Sequence, residues 1–358
     1  MPRSSAVYNH SSLPSRVGRS DHRRQLNYDK VTVLQDVAIP EFNEDMSAVA
    51  ALIHPADLSS SSSLASQPTT SKAKTKHLAT HGTLHTHGFA FLGDNHYIRS
   101  GYRLHYSATD CLRSLFEWHN ETWNVWIHVV GSLAFATLLA IEMFAADALP
   151  EDIPVDRWPL WLFLGSVSLC FALSSLYHLM YVQDAATASL YLRFDFAGIL
   201  VLIFGAAVPL LHYTFFCSPA LRTLYVGLSS VVGLLAFVAT FQPAFSECRF
   251  VRLGVFGATI LTLCIVPLTH VLIETGPTSP QFTAMLQPLV VCLVFNVPGV
   301  LFYAARVPER WSPGSFDVVG SSHQWWHLCV ALAAVTYFSQ VQVQYAWRRT
   351  TGCPVDAP

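Results

Sequence analysis

The stretch PLWLFLGSVSLCFALSSLYHLMY, residues 159–181, contains no Asp, Glu, Lys or Arg. A helix needs roughly 20 consecutive apolar residues to cross a bilayer, and this stretch has that length. Six further apolar segments of similar length lie at 124–145, 196–216, 223–241, 253–273, 283–305 and 325–345. Core helices of a large soluble protein are the alternative. Seven such segments in succession, joined by short polar loops, predict instead an all-α membrane protein with a bundle of seven transmembrane helices.

The composition supports a membrane protein. Of the 358 residues, 52% are hydrophobic and only 12% are charged, whereas soluble domains carry roughly 25% charged residues. The net charge of −2 provides no basic surface, which excludes nucleic acid as a partner. The eight cysteines are scattered, mostly within apolar segments, and form no CxxC pair. They are interpreted as packing residues, and no disulfide framework is predicted.

The chain divides near residue 95. Residues 1–95 are rich in Ser, Thr, His, Pro and Lys, and they are predicted to form a disordered cytoplasmic tail without a signal peptide. Residues 96–122 are a juxtamembrane segment, 123–346 the transmembrane domain, and 347–358 a short C-terminal tail. Four histidines lie close together in the tail: His77, His81, His85 and His87. A flexible tract is not preorganised for metal, so a solvated low-complexity run is favoured.

The distribution of arginines indicates the orientation, because seven spans place the termini on opposite sides of the membrane. The side of the N-terminus carries Arg103, Arg113, Arg193, Arg249, Arg252, Arg306 and Arg310. The opposite side carries Arg157, Arg222, Arg348 and Arg349. The positive-inside rule therefore predicts a cytoplasmic N-terminus, in the plasma membrane or an endomembrane. The sequons at Asn9 and Asn120 would then face the cytosol and stay unglycosylated.

Ionisable residues inside membrane helices are costly and mark functional sites by default. Four helix ends carry polar residues: Glu121, Asn124 and His128 open the first span, Ser174 and His178 close the second, Asp195 opens the third, and His323 and His327 open the seventh. Spacings of three and four residues place the members of each set on one helical face. Because successive helices alternate in direction, all four ends lie on one side of the membrane in either orientation.

These residues predict a zinc site. Two histidines four residues apart on a helix, as at His323 and His327, can bind one zinc ion together. His178 adds a third nitrogen donor, which gives the ligand set of catalytic zinc sites with an open fourth position. Asp195 can hydrogen-bond a zinc-bound water, and Ser174 can orient this group. For His128 an interhelical hydrogen bond is the simpler interpretation.

The motifs Glu121-Thr-x-Asn124-x-x-x-His128, Ser174-x-x-x-His178, Asp195-Phe-Ala-Gly198 and His323-Gln-x-x-His327 resemble those of the PAQR (progestin and adipoQ receptor) or haemolysin-III-related family. The likeness is strongest to the adiponectin-receptor branch, through LFYAARVPER at 301–310 and PGSFD at 313–317. The resemblance covers about residues 95–345. It implies a seven-helix bundle with a cytoplasmic N-terminus, inverted relative to G-protein-coupled receptors. It also implies Zn²⁺ on the three histidines, with Asp195 bound through a water and Ser174 nearby.

The resemblance further implies a receptor with ceramidase-like hydrolytic activity and a role in lipid and zinc homeostasis. The expected partners are membrane lipids, with ceramide or a related acyl amide as substrate, and an unidentified extracellular protein ligand. A receptor whose zinc only joins spans two and seven is the alternative. A transporter ranks last, because the sequence shows no inverted repeat and one polar cluster. Asn296-Val-Pro298 near Tyr303 has the wrong spacing for a G-protein-coupled receptor.

Overall fold

A computed structural model describes residues 75–144 and 153–353 of the chain. Seven long helices occupy the predicted segments: α1 Thr122–Phe144, α2 Trp158–Met180, α3 Ala185–Thr214, α4 Pro219–Ala239, α5 Arg249–Thr275, α6 Pro280–Ala305 and α7 Ser322–Thr351. Within the described residues, α1 to α6 are long and apolar enough to cross a membrane. The short helix Pro243–Glu247 precedes α5, which contains a π-helical turn at Leu261–Ile265.

The helix α7 is more polar than the others, and its packing explains why. It lies against α6, α1, α3 and α2. Several of its polar side chains are buried in these contacts: Gln324, His327, Gln344 and Arg348. Their low exposure shows that the polar face of α7 points toward other helices. Part of the lower hydropathy of α7 therefore comes from polar residues buried at helix contacts, whereas apolar residues such as Leu332 and Val335 lie on its exposed face.

Aromatic side chains fill the space between α1, α2, α3 and α7. This cluster includes Phe135, Phe163, Phe171, Tyr213 and Tyr337, all buried. A second apolar cluster lies between α3, α4, α5 and α6. Close contact between α2 and α3 requires glycine at position 205, because a Cβ there would overlap the side chain of Ser166. Small residues at such crossings let membrane helices approach closely.

The described chain before α1, residues 75–121, folds into a small cap. Strands β1 (His77–Ala79) and β2 (Tyr102–Leu104) pair antiparallel, with His77 opposite Leu104. Short helical turns lie at His81–Thr83, Leu84–His87, Ala90–Leu92, Ala108–Arg113 and Ser114–Phe116. The buried side chains of the cap pack against Leu179 and Tyr181 at the end of α2. The cap therefore rests on the helix end that carries His178.

The structure differs from the predicted tail for residues 75–95. This stretch contains β1 and three helical turns, with Leu84 and Leu92 buried at 1% and 2% exposure. Its apolar residues show no regular period, so the sequence pattern does not reveal that they pack against α2. Residues 1–74 lie outside the described part of the chain, as does the sequon at Asn9. The folded region thus begins earlier than residue 96.

The prediction that the cysteines form no disulfide is wrong for one pair. Cys217, which follows α3, is bonded to Cys353, which follows α7, with their Cα atoms 5.4 Å apart. The two residues are separated by 136 positions in sequence, so local spacing does not reveal the pair. The helix α7 also continues to Thr351, into the predicted C-terminal tail. Cys111 and Cys170 are buried free thiols, as expected for packing residues.

Candidate metal centre

Three imidazoles meet where the end of α2 adjoins the start of α7. The Nε2 atom of His178 lies 3.2 Å from Nε2 of His323 and 3.0 Å from Nε2 of His327. One ligand nitrogen from each histidine lies within 4.8 Å of the other two. Two nitrogens bound to one tetrahedral zinc ion lie roughly 3.3 Å apart, given zinc–nitrogen bonds of about 2.0–2.1 Å. The separations are thus close to those of zinc ligands.

The second nitrogen of two of these rings has a partner that fixes the ring. His178 Nδ1 lies 2.8 Å from Oε2 of Glu121, and a carboxylate only accepts, so this nitrogen carries the proton. His327 Nδ1 lies 2.9 Å from Nε2 of His128. When His327 donates to His128 through Nδ1, its Nε2 atom carries a lone pair. This lone pair faces the lone pair on Nε2 of His178, 3.0 Å away. Such a pair is repulsive unless a cation lies between the two nitrogens, as in carboxylate–histidine–metal arrangements.

A metal-free alternative is a chain of hydrogen bonds from His128 through His327 to His178. In that chain His327 would donate through Nε2 to the single lone pair on Nε2 of His178. His323, however, lies 3.2 Å from the same His178 nitrogen and would need that lone pair as well. A neutral imidazole has only one such acceptor position. The convergence of three rings therefore favours a cation over a hydrogen-bonded chain.

Besides a long contact at 3.4 Å from Nδ2 of Asn120, Glu121, directly before α1, accepts hydrogen bonds from three donors. These are Nδ1 of His178 at 2.8 Å, Nδ2 of Asn124 at 2.7 Å and the hydroxyl of Tyr181 at 3.0 Å. Asn124 is one turn along the same helical face, which is why its amide reaches the carboxylate. Two members of the predicted polar cluster, Glu121 and His128, thus bond the Nδ1 atoms of His178 and His327, on the side of each ring away from the metal-binding nitrogen. Tyr181 was missed by sequence reasoning, because its role depends on a contact with another helix.

Arg103 in β2 fixes the turn of α2 that carries His178. Its buried guanidinium donates to the carbonyl of His178 at 2.7 Å, the carbonyl of Leu179 at 3.1 Å and the Ser114 hydroxyl at 2.6 Å. The last carbonyls of a helix lack intrahelical partners, and a cation there is favourable. From the sequence alone, Arg103 is used only as one of the positive charges that indicate the orientation in the membrane. Its two apolar neighbours in β2 are the available signal that it is buried.

His119 holds the backbone of Glu121 from within the cap. Its Nδ1 accepts from the backbone N–H of Glu121 at 3.1 Å, and its Nε2–H donates to the carbonyl of Ser114 at 3.1 Å. Burial lowers the pKa of His119 to about 3, and the nearby Arg103 guanidinium acts in the same direction. His119 is therefore neutral at physiological pH and acts as a structural hydrogen-bonding group.

Two carboxylates connect the cap to the loop before α7. Glu309 accepts from the backbone N–H of Ser322 at 2.7 Å and from the Asn95 amide at 3.0 Å. Asp317 accepts from the backbone N–H of Arg99 at 2.8 Å and from the Ser100 hydroxyl at 2.6 Å. These carboxylates belong to the LFYAARVPER and PGSFD stretches. Glu309 fixes the first turn of α7, which carries His323, and Asp317 joins the preceding loop to the cap.

The haemolysin-III-related family profile matches residues 116–338, a range that includes Glu121 and all three histidines. The chain belongs to the haemolysin-III-related family. Heptahelical transmembrane protein 1 of Arabidopsis thaliana is 33% identical over 276 residues, covering 74% of this chain and 81% of that protein. The adiponectin receptor protein of Drosophila melanogaster is 31% identical over 263 residues, 72% and 58% of the two chains. Progestin and adipoQ receptor-like protein 1 of Caenorhabditis elegans is 30% identical over 271 residues, 74% and 61%.

These comparisons confirm the resemblance on which the family assignment rested. Together with the six apolar helices, they show that this haemolysin-III-related protein is a multi-pass integral membrane protein. The chain spans about three-fifths of the Drosophila and Caenorhabditis relatives.

In this family member, the structure places the predicted metal ligands together but not the predicted catalytic residue Asp195. The structure brings His178, His323 and His327 together and leaves Asp195, partly buried on α3, outside that set. Three buried polar atoms near the histidines have no partner in the described part of the chain: Ser174 Oγ, Asn124 Oδ1 and His128 Nδ1. Buried polar atoms are normally hydrogen-bonded, to protein or to ordered water. The donor set and these atoms fit a site that holds a metal ion and water.

Proposed function

We propose that this protein is a seven-span receptor of the adiponectin-receptor type that hydrolyses an acyl amide, such as ceramide, at a buried Zn²⁺ site. Its physiological role would lie in lipid and zinc homeostasis. The observation that carries the proposal is the approach of His178 Nε2 to both α7 imidazoles at 3.0 and 3.2 Å. The printed names of the Drosophila and Caenorhabditis relatives support the receptor class. Ceramide is the substrate class implied by the family resemblance.

The topology we propose has seven spans and a cytoplasmic N-terminus. The helix α7 is 30 residues long, enough to cross a bilayer. The bond between Cys217 and Cys353 lies at the end of the bundle opposite the histidines. Disulfides persist in oxidising compartments, so this end is assigned to the extracytoplasmic side. The arginine distribution supports the same orientation, and Asn120, at 8% exposure, is too buried to carry a glycan in the folded protein.

Three neutral imidazole donors suit Zn²⁺, which when bound supplies a Lewis acid and lowers the pKa of a coordinated water. Glu121 orients His178 by bonding its Nδ1 atom, and His128 orients His327 in the same way. Asp195 accepts the proton of the attacking water and returns it to the leaving amine, as a general acid–base residue. The Ser174 hydroxyl, one turn before His178 on α2, lies near that carboxylate and donates to it or to the water. The buried apolar helices exclude bulk water from the reaction.

A second candidate is a receptor in which zinc is purely structural. The low exposure of His178 and His327, 4% and 3%, favours it, because structural zinc sites are closed to solvent. In that case the ion would join α2 to α7 and no residue would need to move a proton. The two candidates make opposite predictions for Asp195.

The test is Asp195→Asn in the full-length protein, with zinc content, melting temperature and ceramide hydrolysis measured together. We expect hydrolysis to fall by about 10²–10⁴-fold, because the proton acceptor is lost while the size of the side chain is kept. Zinc should stay bound, since three imidazoles remain. The matched control is Asp184→Asn, at the N-terminus of the same helix, where Asp184 accepts from Thr187 N–H and asparagine serves equally well.

Three other results of this experiment would change the proposal. Unchanged hydrolysis with retained zinc removes Asp195 from the mechanism. Loss of zinc makes Asp195 a direct ligand. Wild-type protein with full zinc and no hydrolysis of any acyl amide would support the structural candidate.

A further inference from the structure

A second group of histidines meets on the surface of the cap, outside the buried centre. The ring centroids of His77 and His87 lie 5.6 Å apart, those of His77 and His105 lie 5.9 Å apart, and those of His87 and His105 lie 6.0 Å apart. The three rings come from β1, from the turn before Gly88 and from the residue after β2. Pairing of His77 with Leu104 brings the first and third together. Three imidazoles from three separate segments thus face one another.

The spacing of these rings can be compared with the buried centre. There the ring centroids lie 4.9, 4.9 and 4.5 Å apart. Two imidazoles on one tetrahedral zinc ion have centroids about 5 Å apart, given zinc–nitrogen bonds of about 2.0–2.1 Å. The surface rings lie farther apart than this, and, unlike those of the buried centre, their ligand nitrogens do not all lie within 4.8 Å of one another. His77 and His87 are exposed, so rotation of their side chains can close the difference without moving the backbone.

Two of the three rings have contacts that restrict them. His77 Nδ1 lies 3.0 Å from the carbonyl of Thr75, which makes Nδ1 the protonated nitrogen and leaves Nε2 as a donor. Metal-binding histidines commonly make this type of bond with the second nitrogen. Phe89 packs edge-on against the His105 ring, with centroids 5.0 Å apart. The neighbouring charge of Lys76 is paired with Glu117 at 3.3 Å and Asp110 at 3.5 Å.

We propose that His77, His87 and His105 form a second, exchangeable site for a divalent transition metal ion, with Zn²⁺ as the probe. Three imidazoles are the ligands that zinc, copper and nickel ions prefer among protein nitrogens. This set differs from the four histidines that lie close in sequence. The Nε2 of His81 is bonded to the carbonyl of Gly93 at 3.1 Å, and His85 makes none of these ring contacts. The fold replaces both with His105.

Occupancy of this site would couple to the end of α2. His105 is two residues from Arg103, whose guanidinium holds the carbonyls of His178 and Leu179. An ion that joins β1, the Leu84–His87 turn and the residue after β2 would restrain the strand that carries Arg103. The site is exposed, so its ion should exchange with solvent while the buried ion is retained.

The experiment is equilibrium dialysis of full-length protein without an oligohistidine tag against Zn²⁺, with bound zinc counted by elemental analysis. We expect one exchangeable equivalent in addition to the retained ion. His77→Asn and His87→Asn should each weaken the exchangeable equivalent by at least about tenfold, since even outer partners of metal ligands contribute 10- to 100-fold. The matched control is His85→Asn, an exposed histidine on the same turn as His87, which should bind like wild type.

The buried centre is tested separately in the same assay. His323→Ala combined with His327→Ala should lose the retained ion and keep the exchangeable one, so this proposal can succeed or fail independently of the proposed function. An exchangeable equivalent that survives in His77→Asn and His87→Asn would overturn the assignment. Absence of any exchangeable equivalent in wild type would overturn it as well.

Discussion

At both ends of the helix bundle, a buried arginine bonds the last carbonyl groups of a helix, but the links that join neighbouring helices differ. At the histidine end, Arg103 donates to the carbonyls of His178 and Leu179 at the end of α2. At the opposite end, Arg348 donates to the carbonyls of Tyr213 at 2.6 Å and Thr214 at 2.8 Å, at the end of α3. Both guanidinium groups are buried and satisfy carbonyls that have no intrahelical partner.

The links between helices distinguish the ends. At the histidine end, α7 meets α2 through three imidazoles that could hold one metal ion. At the other end, the residue after α7 is joined to the residue after α3 by the Cys217–Cys353 bond. With the proposed ion bound, the first link should be sensitive to chelators and acid, and the second should be sensitive to reductants. The two ends of α7 are therefore linked to other helices by different chemistry, imidazoles at one end and a disulfide at the other.

The largest expected effect is the loss of the ion at the histidine end. In the His323→Ala, His327→Ala double variant, affinity for Zn²⁺ should fall by about two to four orders of magnitude, since each ligand matters more than the outer partners worth 10- to 100-fold. Zinc is measured by elemental analysis after brief dialysis against EDTA, which removes exposed ions. His270→Ala is the control, because His270 is bonded to Tyr225 on other helices. Full zinc occupancy in the double variant would contradict the assignment of these ligands.

The histidine end could be predicted from the sequence because its signals are local. Spacings of four residues pair His323 with His327, and alternation of helix direction brings His178 to the same side. The disulfide and the role of Arg103 could not be predicted, since they join residues 136 and 75 positions apart. The cap was missed for a related reason: its apolar residues have no period, and α2 provides the surface that buries them. The predicted seventh segment ends at residue 345, where the sequence becomes polar. The helix continues further because the polar residues Gln344 and Arg348 are buried against other helices.

The two buried arginines provide a matched pair of substitutions. Arg103→Met and Arg348→Met should each lower the free energy of unfolding by about 3 kcal/mol, because each leaves two buried helix carbonyls without their charged donor. Only Arg103→Met should also weaken zinc retention, since only this arginine holds the turn of His178. Thermal unfolding and zinc content are measured on both variants. Equal zinc retention in the two would show that the cap does not position the metal ligand.

Removal of the disulfide should lower stability by a similar amount and leave zinc binding unchanged. The Cys217→Ser, Cys353→Ser variant is expected to lose about 2–4 kcal/mol of stability, mainly because the unfolded chain is no longer cross-linked. Its zinc content should equal that of wild type, because the bond lies at the opposite end from the histidines. Wild-type protein isolated from cells with thiols blocked should show the bond by mass. Free thiols at both positions would contradict the extracytoplasmic assignment of this end.

The smallest expected effect is a pH dependence confined to the histidine end. The pKa of His119 is held at about 3 by burial, below the value of about 6.5 in an unfolded chain. Because the folded-state pKa is depressed, the unfolded state binds more protons below pH 6.5, and stability falls as the pH drops through that range. At pH 5 this loss is about 2 kcal/mol. His119→Asn keeps an acceptor near the Glu121 N–H and removes the titration, so the variant should lose less stability than wild type between pH 7.5 and 5. Melting temperatures of both proteins at the two pH values measure this difference, in which contributions from the metal site cancel. Parallel losses in both proteins would place the acid sensitivity elsewhere than at His119.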